Sequence, residues 1–206
     1  GQLYVICNDG SEPATAAPEP VAAEDLGSAD KRSGVPAGKT AILMRAMGNG
    51  WPDSRPALKA MLVRAGYTVV HKEGTIENLR AIRNPALFYF DTHGEYSDSD
   101  LPGTMIASAW TTTPVTAAND AAYASDLSGA PPSLVRWSAK SHKDDAGKWV
   151  ITKRYSITHK FIERNGLSFG KNSFVYMDCC YLDAAPFKQA CLGAGASLYA
   201  GWTNPV

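Results

Sequence analysis

The sequence predicts an α/β domain on a mostly parallel sheet with helices on both faces, and three observations carry that reading. From residue 41 onward, strand-like apolar runs alternate with segments of helical periodicity. Two of the runs, at 86–91 and 173–178, are apolar without alternation, as in strands covered on both faces. The length, 206 residues, allows one well-buried core with room for a tail or a large insertion.

The elements follow in order. A first strand is expected at about 41–46, closed by the turn signal Gly48-Asn49-Gly50-Trp51-Pro52. A helix from about Ser54 has Pro56 in its first turn and stops at Gly66. Its Leu58, Met61, Leu62 and Ala65 fall at i, i+3, i+4 and i+7, which predicts one buried face. A second strand spans Tyr67 to His71, a short helix from Thr75 to about Arg83 turns Ile76, Leu79 and Ile82 inward, and the 86–91 strand comes next. The less regular stretch at about 95–155 holds a hairpin, Leu134–Ala139 with Lys148–Arg154, joined by a polar turn through Asp144 to Gly147. A helix at 158–164 leads to the 173–178 strand, and a further helix (186–192) and strand (196–202) close the chain.

Composition limits the function. Forty-five per cent apolar and 19% charged residues are ordinary globular usage, which points to a soluble domain. Twenty basic residues balance twenty acidic ones, so no global field draws the chain to nucleic acid or to an anionic membrane. No apolar run approaches the roughly 18 residues of a membrane-spanning helix. Five tryptophans spread from Trp51 to Trp202 form no stacking array for single-stranded nucleic acid.

Residues 1–38 read as a Pro/Ala-rich linker or tail outside the core, because 11–36 lacks the apolar surface to offset its ordering entropy. Cys7, after Leu3-Tyr4-Val5-Ile6, faintly resembles a lipoprotein junction, but Ile6 stands where a small residue is expected, and a fragmentary start accounts for it better. The compartment stays open, with a secreted or cell-envelope location favoured over a cytoplasmic one. Gly34-Val35-Pro36-Ala37-Gly38-Lys39-Thr40 mimics a phosphate loop, yet has three residues between its glycines instead of four and precedes a strand, so nucleotide binding is rejected. Glu95, Asp98 and Asp100 could attract calcium, but no full ligand set follows, and a solvated acidic loop is the simpler reading. No other metal or cofactor is expected. His71, His142 and His159 have no partner pattern and read as structural or exposed.

The chemistry lies at two strand ends. Phe88-Tyr89-Phe90-Asp91-Thr92-His93-Gly94 ends an apolar run in histidine and glycine, and Val175-Tyr176-Met177-Asp178-Cys179-Cys180 ends one in an acid and two thiols. In a parallel sheet, reactive groups collect beyond the carboxyl ends of strands, and a right-handed crossover through the 156–165 helix makes these two strands neighbours. Adjacent cysteines at a strand end could be small core residues, since free Cys is commonly buried. Beside an imidazole, however, a thiol gains a base that takes its proton during attack and then protonates the leaving amine. Gly94 has no Cβ, so its N–H can approach a substrate and, with the N–H of Cys180, hold an oxyanion.

Both motifs, in this order and on these strands, resemble the caspase-like cysteine peptidases, among them caspases, legumain, gingipains and clostripain-like enzymes. The resemblance covers about 40–206, with a peptidase domain at 39–206, the 95–155 stretch as an insertion, and 195–202 also fitting. It implies a three-layer caspase-like fold, a protein or peptide substrate, Cys180 as nucleophile in preference to Cys179, and His93 as base. Cys179 stands where the family usually has alanine and becomes the buried neighbour. Asp178 falls where legumain-like and clostripain-like members line the pocket for the residue before the cut, which implies cleavage after Arg or Lys; an acid that merely caps backbone N–H groups is the alternative. A member that no longer cleaves and serves as an interaction or regulatory module is the runner-up, and an unrelated α/β thiol hydrolase comes third. A serine hydrolase is disfavoured: Gly166-Leu167-Ser168-Phe169-Gly170 has G-x-S-x-G spacing, but it follows a helix and leads into a strand, whereas a nucleophile elbow turns from strand to helix.

Two departures bear on this reading. Relatives usually continue beyond the strand before Val206, so the sequence reads as a fragment or as a sheet completed differently. The spacing of 87 residues from His93 to Cys180 exceeds that of the simplest members, and the inserted stretch offers Lys140, Lys143, Lys148, Lys153 and Arg154 to a basic-specific enzyme. Self-processing there predicts two fragments from the wild type and an intact chain from Cys180→Ala on a denaturing gel; equal fragmentation of both contradicts it.

Overall fold

A computed structural model describes residues 3–7, 36, 38–48, 51–98, 105–128, 133–143, 147–182 and 185–202. The first sheet is built from β1 (Leu3–Cys7), β2 (Thr40–Arg45), β3 (Thr68–Glu73), β4 (Leu87–Asp91), β9 (Phe174–Asp178) and β10 (Leu198–Trp202), in the order β1-β10-β9-β4-β2-β3. Five strands run parallel and β1 lies antiparallel on β10. The chain is therefore α/β, as its alternation of elements predicts. Residues 41–46 and 88–91 are buried without a break, so β2 and β4 are covered on both faces, whereas β9 alternates buried and half-buried residues and is fully covered on one face only. The two motif-bearing strands, β4 and β9, are direct parallel neighbours, with Asp91 opposite Asp178.

Between them the chain makes a second, four-stranded antiparallel sheet, ordered β5-β6-β8-β7. Its strands are β5 (Gly94–Asp98), β6 (Met105–Pro114), β7 (Val135–Lys143) and β8 (Trp149–Ile157). The hairpin expected at 134–154 is β7–β8, each strand starting one residue later than expected and running three or four residues further. The pair β5–β6 was not expected: Gly94-Glu95-Tyr96-Ser97-Asp98 is polar enough to read as a loop, and only its pairing with 105–109 makes it a strand. The same pairing corrects the acidic loop. Glu95 is in a strand, its carboxylate accepting from Trp110 Nε1 at 3.2 Å and Ser138 Oγ at 2.6 Å, while the Asp98 side chain and Asp100 lie outside the described residues. Among the described residues no group of three or more acids, histidines and cysteines could hold a metal ion.

Among the described residues six helices complete the fold: α1 (Arg55–Arg64), α2 (Ile76–Arg80), α3 (Ala117–Ala122), α4 (Ala124–Leu127), α5 (His159–Arg164) and α6 (Ala185–Gly193). None of the described helices is long and apolar enough to cross a membrane. Helix α2 behaves as its spacing predicts, with Ile76, Leu79 and Ile82 fully buried and Thr75 capping Asn78 N–H at 3.1 Å. It also ties the two sheets together. Ile76 N–H donates to Thr113 Oγ1 at 3.0 Å, Glu77 accepts from the Tyr123 hydroxyl, and Arg80 pairs with Asp126.

Two expectations fail. Helix α1 buries none of its residues: Met61 is 56% exposed, Val63 53%, and Leu58 and Leu62 are half-buried. Its partner β3 is the edge strand, itself only exposed or half-buried, and offers too little sheet to cover a helical face. The other concerns 1–38. Leu3–Cys7 join the sheet, because an apolar run with β-prone Tyr4, Val5 and Ile6 at its centre meets the open edge of β10; residues 8–35 lie outside the described residues. Of the phosphate-loop mimic, Thr40 opens β2 and no helix follows. The burial contrast is testable in urea: Phe90→Ala, fully buried in β4, should cost about 3–5 kcal/mol, and Met61→Ala about 0.5 kcal/mol or less.

Candidate active site

The carboxyl ends of the parallel strands form a charged row. Arg45 ends β2, Asp91 ends β4 and Asp178 ends β9, and the sheet register sets Glu73, Arg45, Asp91 and Asp178 side by side. In parallel strands, residues in register share a face. Tyr89 and Tyr176, two residues before the two aspartates, therefore lie directly beneath them.

Asp178 is held by three neutral donors. Tyr89 Oη donates to its Oδ2 at 2.6 Å, and Trp202 Nε1 and Tyr176 Oη donate to its Oδ1 at 2.9 and 3.3 Å. The caps on this acid are side chains, and no backbone N–H is among these donors. Burial, with Asp178 beside it, pushes the Tyr89 phenol far up, and the same causes push Tyr176 up to about 12. Both rings stay protonated donors at any physiological pH. Tyr89 Oη also meets Ser54 Oγ at 2.5 Å, which ties the start of α1 to the site.

Asp91 is handled differently. It is 7% exposed, and its carboxylate faces the Arg45 guanidinium at 3.0 Å. Burial outweighs that ion pair and raises its pKa to about 6, with Asp178 adding to the rise. Arg45 is itself buried and also pairs with Asp53 at 3.2 Å. Its Nη2 donates to the Trp51 carbonyl at 2.7 Å, and Nη1, the atom that faces both aspartates, donates to that of Pro52 at 2.9 Å. Asp53 in turn grips Arg55 through both carboxylate oxygens, which holds its carboxyl well below the usual range. Residues 51–55 are thus fixed over the strand ends.

This segment delivers Trp51 to His93. The rings meet edge-on at 5.5 Å, and Trp110 meets His93 edge-on from β6 at 5.7 Å. His93 is half-buried between two indoles, and its carbonyl accepts from Trp110 N–H at 2.9 Å. This bond makes Gly94 and Ala109 a non-hydrogen-bonded pair in the β5–β6 ladder, so the Gly94 N–H is directed away from β6.

Gly94 meets Cys180 backbone to backbone. A Cβ at residue 94 would lie 1.6 Å from the Cys180 carbonyl oxygen and 3.0 Å from its nitrogen, so only glycine fits. After Cys180 the chain turns sharply through Tyr181, a non-glycine residue at φ +62°, whose ring stacks on Tyr96 of β5 at 5.9 Å. Such a conformation costs on the order of 1 kcal/mol and persists where its surroundings over-determine it. The His-Gly end and the Cys-Cys end are thereby locked together. A cavity of about 400 Å³ opens there, lined by Met47, Trp51, His93, Asp178, Cys180 and their neighbours.

The two thiols differ. Both border the cavity, but Cys179 is 3% exposed and packs in the core, where burial pushes its thiol well up, whereas Cys180 is half-buried. Cys191 is a core residue of α6, also pushed up by burial. His71 is exposed on β3 and His159 half-buried on α5; desolvation lowers both, and neither lines the cavity with His93. Arg45, Trp51 and Trp110 were not singled out from sequence. Arg45 was visible as a lone charge ending an apolar run, the pattern that marks Asp91 and Asp178, but nothing local signalled where the indoles point.

Comparison with protein-family models, with curated proteins and with solved structures finds no match to this chain.

The raised Asp91 gives a signed pH effect. The folded chain binds its proton more tightly than the unfolded chain, whose carboxyl titrates near 3.8, so its contribution is fully present below that value. It is lost as pH rises through about 6, about 3 kcal/mol in all. Urea midpoints of wild type and Asp91→Asn between pH 4 and 7 should diverge accordingly, the variant lacking this decline; parallel curves contradict it.

Proposed function

We propose that the chain is a cysteine endopeptidase of caspase-like type, with Cys180 as nucleophile and His93 as its base. The observation that carries this reading is the close approach of Gly94 to Cys180, which puts a half-buried imidazole and a half-buried thiol on one cavity at the ends of adjacent parallel strands. The site lies where α/β sheets place reactive groups, and the two motifs on β4 and β9 are those whose sequence resembles the family.

The reaction follows from the groups present. His93 takes the Cys180 proton as sulfur attacks the scissile carbonyl. The Gly94 N–H, directed away from β6, and the Cys180 N–H receive the developing oxyanion, a contribution of roughly 3–4 kcal/mol where such donors are preorganised. His93 then gives its proton to the leaving amine as the C–N bond breaks. Water, losing a proton to the same imidazole, attacks the thioester and releases the acid, and the thiol recovers its proton. Trp51 and Trp110 restrict the imidazole to one orientation and shield it from solvent.

Asp178 supports a preference for Arg or Lys before the scissile bond. Its carboxylate borders the cavity, and three neutral donors orient it without neutralising its charge. A basic side chain entering the cavity adds a charge-assisted bond to an anion already in position. The second sheet, which starts at Gly94, forms part of the substrate rim.

The test is turnover of fluorogenic peptides under reducing conditions. Substrates with Arg or Lys before the cut should be cleaved, and Cys180→Ala or His93→Ala should each lower kcat/KM by about 10³-fold or more. Asp178→Asn should weaken the preference for Arg over Asn by roughly tenfold. Equal turnover of Asp and Asn substrates removes the specificity, and turnover that survives Cys180→Ala removes the mechanism.

A further inference from the structure

Ser54 stands immediately before α1, where a serine ordinarily turns its hydroxyl onto the free N–H groups of the first helical turn. It does not do so here. Its backbone is already helical, at φ −79° and ψ −12°, its side chain makes no cap bond, and its Oγ lies 2.5 Å from Tyr89 Oη. A local rule broken beside a cavity marks a residue kept for another task. Ser54 is exposed and lines the cavity with Asp178, whereas Tyr89 is fully buried.

The protons on this chain of groups have one arrangement. A carboxylate only accepts, so the single phenol proton of Tyr89 goes to Asp178 Oδ2, at 2.6 Å. Burial pushes the phenol far up, so that proton stays in place. The proton between Ser54 and Tyr89 is therefore the serine's, and the lone pairs of Ser54 Oγ are left for a ligand in the cavity.

Asp178 is nearly full. An ionised carboxylate has about four acceptor positions, shared equally between its oxygens. Trp202 Nε1 and Tyr176 Oη take those of Oδ1, and Tyr89 takes one on Oδ2. Among the described residues the position left over is on the oxygen that Tyr89 holds. A bound cation thus finds one acceptor on Asp178 and a second on Ser54, a single hydroxyl apart. An ammonium brings its protons on one strongly hydrated nitrogen, while a guanidinium brings two terminal nitrogens in a fixed fork and sheds water more readily. With Met47, Trp51 and Pro52 in its wall, the cavity suits the guanidinium better.

We infer that Ser54 is a specificity-determining residue of the cavity, its hydroxyl giving an arginine side chain a second acceptor beside Asp178, and that Tyr89 is the positioning residue that aligns both. The site then takes Arg in preference to Lys before the scissile bond. This preference rests on the peptidase reading for its turnover, though not for its binding.

The test uses matched fluorogenic peptides that differ only in Arg or Lys before the cut. Wild type should favour Arg about tenfold or more in kcat/KM. Ser54→Ala should lower kcat/KM for Arg about tenfold, through KM, and for Lys less than about threefold; Ser54→Thr, which keeps the hydroxyl, should restore the preference. Tyr89→Phe, which fills the same core space, should raise KM for both peptides about tenfold with kcat within about twofold, and should leave the rate of Cys180 alkylation by iodoacetamide unchanged. Anisotropy titrations of labelled forms of the two peptides with Cys180→Ala read the pocket without chemistry. Tighter binding of Arg than Lys, lost when Ser54→Ala is added, supports the inference even where wild type turns over neither peptide, an outcome that removes the peptidase reading alone. Equal binding of Arg and Lys, or a preference for Arg that survives Ser54→Ala, overturns it whatever the turnover. Slower alkylation of Cys180 in Tyr89→Phe overturns the positioning role.

Discussion

At one point the two halves of the site touch through backbone alone: Gly94 lies against Cys180 so closely that a methyl group has no room. Everything around the cavity is arranged about that contact. It forces the chain leaving β4 to pass directly over the chain leaving β9, and it starts the second sheet at the cavity mouth. It also leaves Cys180 in a turn that Tyr181 completes only by adopting a left-handed conformation. The strain is held by packing from β5, where Tyr96 stacks on the Tyr181 ring. A glycine whose neighbour on one side is the candidate base, and whose contact is the candidate nucleophile, couples a packing constraint to a chemical one.

Electrostatics solves a second problem at the same strand ends. Asp91 and Asp178 face each other across neighbouring strands, and two unscreened carboxylates so placed would repel. One is surrounded by neutral donors from Tyr89, Tyr176 and Trp202. The other is buried against Arg45 and is pushed toward its protonated form. The division orients Asp178 at the cavity through neutral donors and ties Asp91 to the buried guanidinium that also holds Trp51 over His93.

Much of this was legible in the sequence because local pattern and global fold agree. The unbroken apolar runs before Asp91 and Asp178, the spacing of Ile76, Leu79 and Ile82, and the polar turn between β7 and β8 each have one structural solution. Helix α1 shows the limit: Leu58, Met61 and Leu62 have the periodicity of a buried face, but periodicity does not say whether the strand beside the helix is central or at an edge. Strand β5 shows another, since Gly94–Asp98 has no strand signal of its own and exists through its partner β6. The His93 and Cys180 motifs could be read from their strands, whereas the clamp made by Arg45 and the indoles from Trp51 and Trp110 depends on loop paths that no spacing encodes.

The account's central claim is that His93 acts on the Cys180 thiol. The most direct measurement is the rate at which iodoacetamide alkylates Cys180 at neutral pH, followed by mass spectrometry with Cys179 and Cys191 as internal references. The account predicts that Cys180 reacts far faster than the two buried thiols and that His93→Ala slows it about tenfold or more while leaving the references unchanged. An alkylation rate that is the same with and without the imidazole would contradict it, reducing Cys180 to an exposed thiol beside an unrelated histidine.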